Sequence, residues 1–528
     1  MTTLRNLILG SAAVLLATGS AGAADLPVKA KAVEYVKVCS LYGAGFWYIP
    51  GTDTCMRVGG YLRVDTTFNG TAHGTPAWAG DQGQQNRYRD YFFSRSRFQL
   101  IVDTRTATEY GLVRTFAQGD FQFTTLGSSR NPNVLATNLG NNGQLLDTPG
   151  GGYVAVEYVF IQFAGFTFGK SSSAYSTPWN GFPGNINSNL LGGNNTDTGV
   201  NNIQYTAEFG NGVSASIGLD DPTVWNRTAV YNLAAVPGIG VNGTGSNSYG
   251  GTHAPDIVGR FRIDQAWGLF QISGAAHLVN ASYNILGAGG VPTNLSEISG
   301  HPDDKWGGSV MAALQIKNLP TGAGDDIKVD ASYAVGTTKN VIATSGNSPS
   351  FAMFSGTGIA GAYQSVGFGA TTDAVYLPGP GGTNGLQLTK AWGIRGAFNH
   401  NWDPYWSTSL FGSYSSVRYD GNAFDTTTAK GAFCAAFGAS HPGLNVTYSC
   451  DPNFNVSQLG VVTRWTPVKN LTFSAEVQWF HLDQKMGNGP GLATSTSAFT
   501  ATAPKPAATY EFKDQDTVLL QVRAQRNF

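Results

Sequence analysis

Arg95 and Arg97 stand two residues apart in SRSRFQLIVD, and Gln99 follows at the same step. On an extended chain such residues share a face, so the two guanidinium groups project together. Arg63 in YLRVD and Arg114 in LVRTFA belong to the same set. Arginines supply neither a nucleophile nor a proton acceptor. Their chemistry is electrostatic: fixed positive charge along a narrow, low-dielectric passage focuses field and favours anions. The plainer reading is a set of solvated cations paired with nearby acids.

Other chemistries are poorly served. GFTFGKSSS resembles a phosphate loop, but Gly165 precedes Gly169 by four positions where that loop needs five, and no helix is expected to follow. Lys170 is expected instead to point into a lumen. The seven histidines show no metal-ligand spacing. HPDDK and GAGDD each hold two acids in what read as solvated turns. No nucleophile elbow or Ser–His–Asp set is recognisable. The sequence therefore predicts no enzyme, no metal and no cofactor. The cysteines, Cys39, Cys55, Cys434 and Cys450, allow three pairings; two local bridges are the simplest.

The elements that would position these side chains are strands. In CMRVGGYLRVD, Val58, Leu62 and Val64 alternate with Arg57, Tyr61, Arg63 and Asp65. PDIVGRFRID sets Arg260, Arg262 and Asp264 against Ile257, Phe261 and Ile263. Period-2 splitting of apolar and polar residues marks strands whose two sides meet different media. About sixteen such segments are expected, at 55–69, 90–104, 108–123, 152–163, 166–173, 200–210, 212–221, 255–266, 268–280, 304–318, 325–338, 387–401, 405–420, 455–467, 470–483 and 516–528. Short turns such as DTRTA, FGNG, AWG, NWDP and TPVKN alternate with long stretches at 124–151, 174–199, 222–254, 281–303, 339–386, 421–454 and 484–515. The long stretches read as surface loops partly folded over a mouth. An even strand number with short turns on one rim and long loops on the other characterises an outer-membrane β-barrel. Aromatics near the segment ends fit two membrane interfaces: Tyr91, Phe92 and Phe93; Trp392; Trp402, Tyr405 and Trp406; Trp465; Trp479 and Phe480. A lipid-facing arginine at mid-membrane would cost about 2–4 kcal/mol, so Arg63, Arg95, Arg97 and Arg114 should face water.

The final segment, VLLQVRAQRNF, places Val518, Leu520, Val522, Ala524 and Phe528 on one side. Gln521, Arg523, Gln525 and Asn527 fall on the other. Paired on both sides in a closed barrel, Phe528 would not fray. Residues 1–23 have the form of a secretory leader: Arg5, an apolar run and Ala21-Gly22-Ala23. The formal net charge is −1, which suggests no nucleic-acid partner. Gly counts 69 of 528 residues, well above the average of about 7%; charged residues are 12%, about half the usual share. Beyond the leader no apolar run is long enough for a spanning helix, so a membrane location requires a closed barrel.

ADLPVKA, VCSLYGAGFWYIPGTDTCMRVGGYLR, RFQLIVDTRTATEYGLVRTFA, FTFGKSSS and the terminal QRNF resemble the porins of alphaproteobacteria, in outline over the whole mature chain. The resemblance implies a trimer of sixteen-stranded, water-filled channels. It implies that the loop after the fifth strand, 174–199, folds inward as a constriction and that Arg95, Arg97 and Arg114 face it. It also implies that Cys39 bridges to Cys55. Within that loop the sole acid is Asp197, with Glu157 and Asp120 on neighbouring strands as further candidates.

The sequence thus predicts an all-β, closed transmembrane antiparallel barrel: leader 1–23, an N-terminal periplasmic segment 24–54 and a barrel over 55–528. The expected function is passive diffusion of small hydrophilic solutes and ions across a bacterial outer membrane. Alternatives are a channel preferring a sugar or anion, with Tyr175 and Trp179 as a stacking surface, and a non-conducting adhesin or structural barrel. Expected partners are outer-membrane lipid and lipopolysaccharide, two further copies of the chain, and the outer-membrane assembly machinery, which would read Phe528.

Overall fold

The computed structural model describes residues 37–528 apart from 72, 74–84, 86–88, 125–152, 180, 195–197, 224–225, 235–238, 240–244, 246, 288–290, 343–349, 378–384, 442–447, 489–495 and 501–505. The expected leader, the start of the N-terminal segment and Asp197 lie outside the described residues.

Sixteen strands form the barrel wall: β1 (Cys55–Phe68), β2 (Phe92–Thr108), β3 (Gly111–Thr124), β4 (Tyr153–Phe163), β5 (Phe166–Ser171), β6 (Val200–Gly210), β7 (Val213–Asp220), β8 (Asp256–Gln265), β9 (Gly268–Val279), β10 (Lys305–Lys317), β11 (Asp326–Val335), β12 (Lys390–Asn401), β13 (Trp406–Arg418), β14 (Phe454–Val468), β15 (Leu471–Gln484) and β16 (Gln515–Asn527). Each falls within a few residues of an expected segment. Every strand pairs antiparallel with its sequence neighbours, and β16 closes the ring on β1 in the register Tyr61↔Asn527 to Phe68↔Leu520. Closure removes the edges that lipid could not solvate.

The alternation sorts as expected. On β1, Val58, Leu62, Val64 and Phe68 are exposed to the outside, whereas Asp65 and Thr67 are buried inside. On β16, Val518 and Val522 face out, and Leu519 and Gln521 face in. Gly60 shows why the seam tolerates no side chain: its φ is +149°, and a Cβ there would lie 1.9 Å from the Gln99 carbonyl oxygen and 3.2 Å from the Phe528 ring. Phe528 is held by its N–H, which donates to Gly60 O at 3.1 Å, and by stacking on Phe98 at 6.2 Å.

Short turns gather on one rim. Several are two residues long; two of these join β4 to β5 through Ala164 (φ +49°) and Gly165 (φ +84°), and β14 to β15 through Lys469 and Asn470 (φ +67°); positive φ gives such two-residue loops the twist of the flanking strands. Trp402, Tyr405, Trp406 and Trp465 ring this end, and Trp406 stacks on Trp465 at 5.8 Å. Tyr91, Phe92, Trp392 and Trp479 mark the other. Phe93 and Phe480, expected in these belts, instead point inward and are buried.

For Phe480 the reason lies in the long loops, which form a folded cap. Phe351–Ser355, Ser365–Gly369, Ala507–Phe512 and Thr496–Thr500 make a four-stranded sheet; Ala229–Asn232, Thr372–Tyr376 and Leu386–Leu388 make a three-stranded one. A helix, Ala429–Ser440, starts at Thr428, whose side chain accepts from Gly431 N. Phe351, Phe354, Phe368, Phe433, Phe437 and Tyr510 from these elements pack with Val417, Phe454, Val456, Phe480 and Leu482 from the strand ends in one apolar core. Burying these aromatic and aliphatic groups outweighs the entropy of ordering the loops, at roughly 1.5–3 kcal/mol for each large side chain. The Cys434–Cys450 disulfide ties the helix to the segment before β14. At the opposite rim Cys39–Cys55 pins the N-terminal segment. There Trp47–Tyr48 pairs with the start of β1, and Arg57 and Arg105 lie over the Phe46 ring.

Candidate pore constriction

The described residues of 172–199, which take in the expected constriction loop 174–199, leave β5 and turn into the barrel. Its polar backbone must find partners there, and the inward faces of β9 and β11–β15 supply them. Gln271 Nε2 donates to Ser176 O at 2.8 Å. Trp179 Nε1 donates to Asp330 at 3.1 Å. Ile186 N donates to Glu476 at 2.6 Å, and Leu191 N to Gln458 at 2.7 Å. Asn187 and Gln478 bond at 3.0 Å, and Arg464 donates to Gly184 O.

Arg395 is the pin of this docking. Its side chain and that of Asp330 are both fully buried, with Nε 3.0 Å from each carboxylate oxygen. Nη1 donates to Leu190 O at 3.0 Å, and Nη2 to Asn194 O. NLLGGNN admits this approach through its glycines. A Cβ on Gly193 would lie 2.2 Å from Asp330 Oδ1, and one on Gly192 (φ +97°) 2.7 Å from Ile394 O. The loop is also tied to the cap: Gly192 N donates to Val341 O at 2.9 Å, and Asn194 bonds Asn340 at 2.9 Å.

Arg63, Arg95 and Arg97 stand together on β1 and β2, joined by Arg523 of β16. All point inward, yet their electrostatics differ. Asp65 opposes both Arg95 and Arg523 in the strand registers. Arg95 Nε donates to Asp65 at 2.8 Å with both groups buried, and Arg523 bonds its other oxygen. Arg97 Nη1 lies 2.6 Å from Asp120, and its Nε donates to Gln122 at 2.6 Å. Asp120 therefore neutralises the arginine wall rather than opposing it. Arg114 turns inward lower down and binds Asp103 at 2.9 Å, beside Arg57 and Arg105. Arg63 donates to the Gln525 amide oxygen at 2.8 Å and lies 4.3 Å from the Tyr61 ring centroid; it is ion-paired to no carboxylate among the described residues.

Lys170 reaches the loop's far end, where Nζ donates to Glu157 O at 2.8 Å and to the Thr198 hydroxyl. Glu157 is the extra residue of a β-bulge, between Val156 facing Gly119 and Tyr158 facing Gln118. Its carbonyl also receives Gly199 N at 2.9 Å, so the bulge anchors the return of the loop to β6. Tyr175, expected as a stacking surface, is 2% exposed and packs with Ala174, Val258, Met311 and Ala313. Its ring is shut off from water, and Trp179 packs against the same cluster.

Sequence reasoning passed over His73, Arg395 and Arg464. His73 lies in the loop after β1, with Nδ1 3.2 Å from Arg95 Nη1 and its carbonyl accepting from Ser188 N at 3.3 Å. Burial, with Arg95 and Arg97 beside it, holds its imidazole well below the usual pKa. Arg395 was legible as an alternating position in AWGIRGAFNH, but its partners lie 65 and about 200 residues away in sequence.

A closed barrel with an apolar exterior, two aromatic belts, a polar interior and a loop docked inside it defines the outer-membrane porin class. The chain belongs to the porin subfamily, whose family model matches residues 25–521, in agreement with its resemblance to alphaproteobacterial porins. Porin Omp2b of Brucella abortus is 33% identical over 272 residues, 50% of this chain and 63% of the relative; that of Brucella suis is 34% identical over 270 residues, 50% and 64% respectively. The match thus spans less than two thirds of these relatives' length. The outer membrane channel DcaP of Acinetobacter baumannii shares the fold with a TM-score of 0.55 at 14% identity, covering 91% of this chain and 99% of that one.

Proposed function

We propose that the chain forms a water-filled, passive diffusion channel for small hydrophilic solutes and ions. The observation that carries this reading is the docking of 172–199 on the β9–β15 side. Such a loop would narrow the lumen, with water passing along the arginine-bearing side, β16 to β3, which the loop meets where Ser188 N donates to His73 O. In this reading Arg63, Arg97 and Arg523 line the passage; Arg95 holds the wall together through Asp65. Net positive charge remains: among the described residues these four arginines are ion-paired to two carboxylates, Asp65 and Asp120, and a low-dielectric passage amplifies the excess. The channel is expected to act as a homotrimer, embedded among lipid and lipopolysaccharide and inserted by the outer-membrane assembly machinery.

Purified protein in planar bilayers tests this directly. Open steps of steady size are expected, with a reversal potential in a salt gradient that favours anions. Absence of steps would leave the structural or adhesive reading. The cap favours a second reading in which the outer mouth restricts entry to preferred solutes. Liposome swelling with sugars of rising size separates the two: a smooth decline with size supports general diffusion, and a single favoured sugar supports the restricted mouth.

A further inference from the structure

Two arginines on β8 stand apart from the wall just described. Arg260 and Arg262 face inward below Val258, which packs against the root of the constriction loop. In register, Arg260 lies between Ser216 of β7 and Ser273 of β9, and Arg262 between Ser214 and Gln271. Thr206 of β6 extends the row, bonded to Ser216 at 2.8 Å. Hydroxyl and amide groups therefore surround two cations.

Neither guanidinium is ion-paired to a described carboxylate. Arg262 donates Nε and Nη2 to the Gln271 oxygen at 2.8 and 2.6 Å, which fixes its plane and leaves Nη1 directed elsewhere. Gln271 is itself held by Ser176 O and Ser273, each at 2.8 Å. The Arg260 Nε is buried and has no hydrogen-bond partner. Burying an unpartnered donor is unfavourable, and no described residue supplies an acceptor for it. The nearest acids are Glu208, exposed at the end of β6, and Asp264, which Lys317 engages at 2.6 Å.

We infer that this patch is a binding subsite for the phosphate group of a small hydrophilic solute, on the short-turn side of the constriction. A dianion matches two guanidiniums, whose planar forks suit phosphate oxygens, and the neighbouring serines offer further donors. The inference rests on the channel reading for its purpose, since a site beneath the constriction would hold an anion next to the narrowest passage.

Two measurements test it. In bilayers, inorganic phosphate added from the short-turn side at constant ionic strength should reduce open-channel current. Calorimetric titration of the detergent-solubilised protein with inorganic phosphate should give a saturable heat without requiring conduction. In Arg260→Gln and in Arg262→Gln the half-saturating concentration should rise at least about tenfold, the loss of one charge-assisted contact. Arg260→Lys, which keeps charge but loses the fork, should fall between. Lys485→Gln, in the cap, should match the unaltered protein. No phosphate heat, or an affinity in both glutamine variants unchanged from the unaltered protein, overturns the subsite. A protein that binds phosphate but shows no open steps in salt overturns the channel reading instead.

Discussion

Arg395→Ala is the sharpest test of how the constriction loop is held. The substitution strands Asp330 in a fully buried position and removes donors from Leu190 O and Asn194 O. Breaking one side of a buried pair costs about 3–5 kcal/mol, and each unpartnered carbonyl adds about 1–3 kcal/mol unless water reaches it. Asp330, Gln458, Gln478 and Glu476 still bind the loop, and the sixteen-strand ring is independent of it. The strain should therefore be relieved by local undocking. Single-channel records should show added open-state noise and brief closures, and a protease active on extended loops should cleave near Leu190–Gly193. The double variant Arg395→Met, Asp330→Leu removes the stranded carboxylate and should recover about half of the lost loop protection, the carbonyls and Trp179 Nε1 remaining without partners. Quiet channels and full protease resistance in Arg395→Ala would refute the pin. So would a double variant no better than the single.

Further outcomes are expected. Gly60→Ala drives a methyl into the Gln99 carbonyl at the closing seam, so heat-modifiable, folded barrel on gels should fall to a small fraction of normal yield. Arg63→Ala should shift the reversal potential toward cations; a potential change of about one kT alters the entry of each ion about two- to threefold, in opposite senses. Arg95→Ala, which leaves Asp65 held by Arg523, should mainly lower the unfolding temperature. Cys434→Ser with Cys450→Ser should leave barrel melting unchanged but weaken the cap by about 2–4 kcal/mol, seen as faster proteolysis of 421–454. Because His73 is kept neutral in the fold, the unfolded chain binds more protons at acid pH; stability should be full above about pH 6.5 and fall as pH drops below it. His73→Gln should flatten that slope in melting scans between about pH 7 and 5.

The barrel was legible because membrane and water impose opposite demands on alternate residues. Val58, Leu62 and Val64 against Arg63 and Asp65 could be assigned to sides without coordinates. What was not legible depends on register and on distant partners. Asp65 meets Arg95 and Arg523 only once β1 is aligned with both neighbours, so the wall's partial neutralisation stayed hidden. The cap escaped because its strands are short and set among Gly, Ser and Thr. One signal was present: near the long-loop rim Phe454, Val456, Phe480 and Leu482 are apolar at inward positions, where a wet lumen would not place them. Tyr175 was misread because an aromatic in a lumen loop suggests a solute, whereas here it fills a gap against Met311.

Outside loops of surface proteins usually diverge freely, each on its own schedule. Here Phe351, Phe433 and Tyr510, drawn from three separate long stretches, share one interior. A substitution at any of them must be answered by the others, so these stretches are bound to evolve as a unit. Outward positions such as Ile298 and Phe424 can change without disturbing that shared interior.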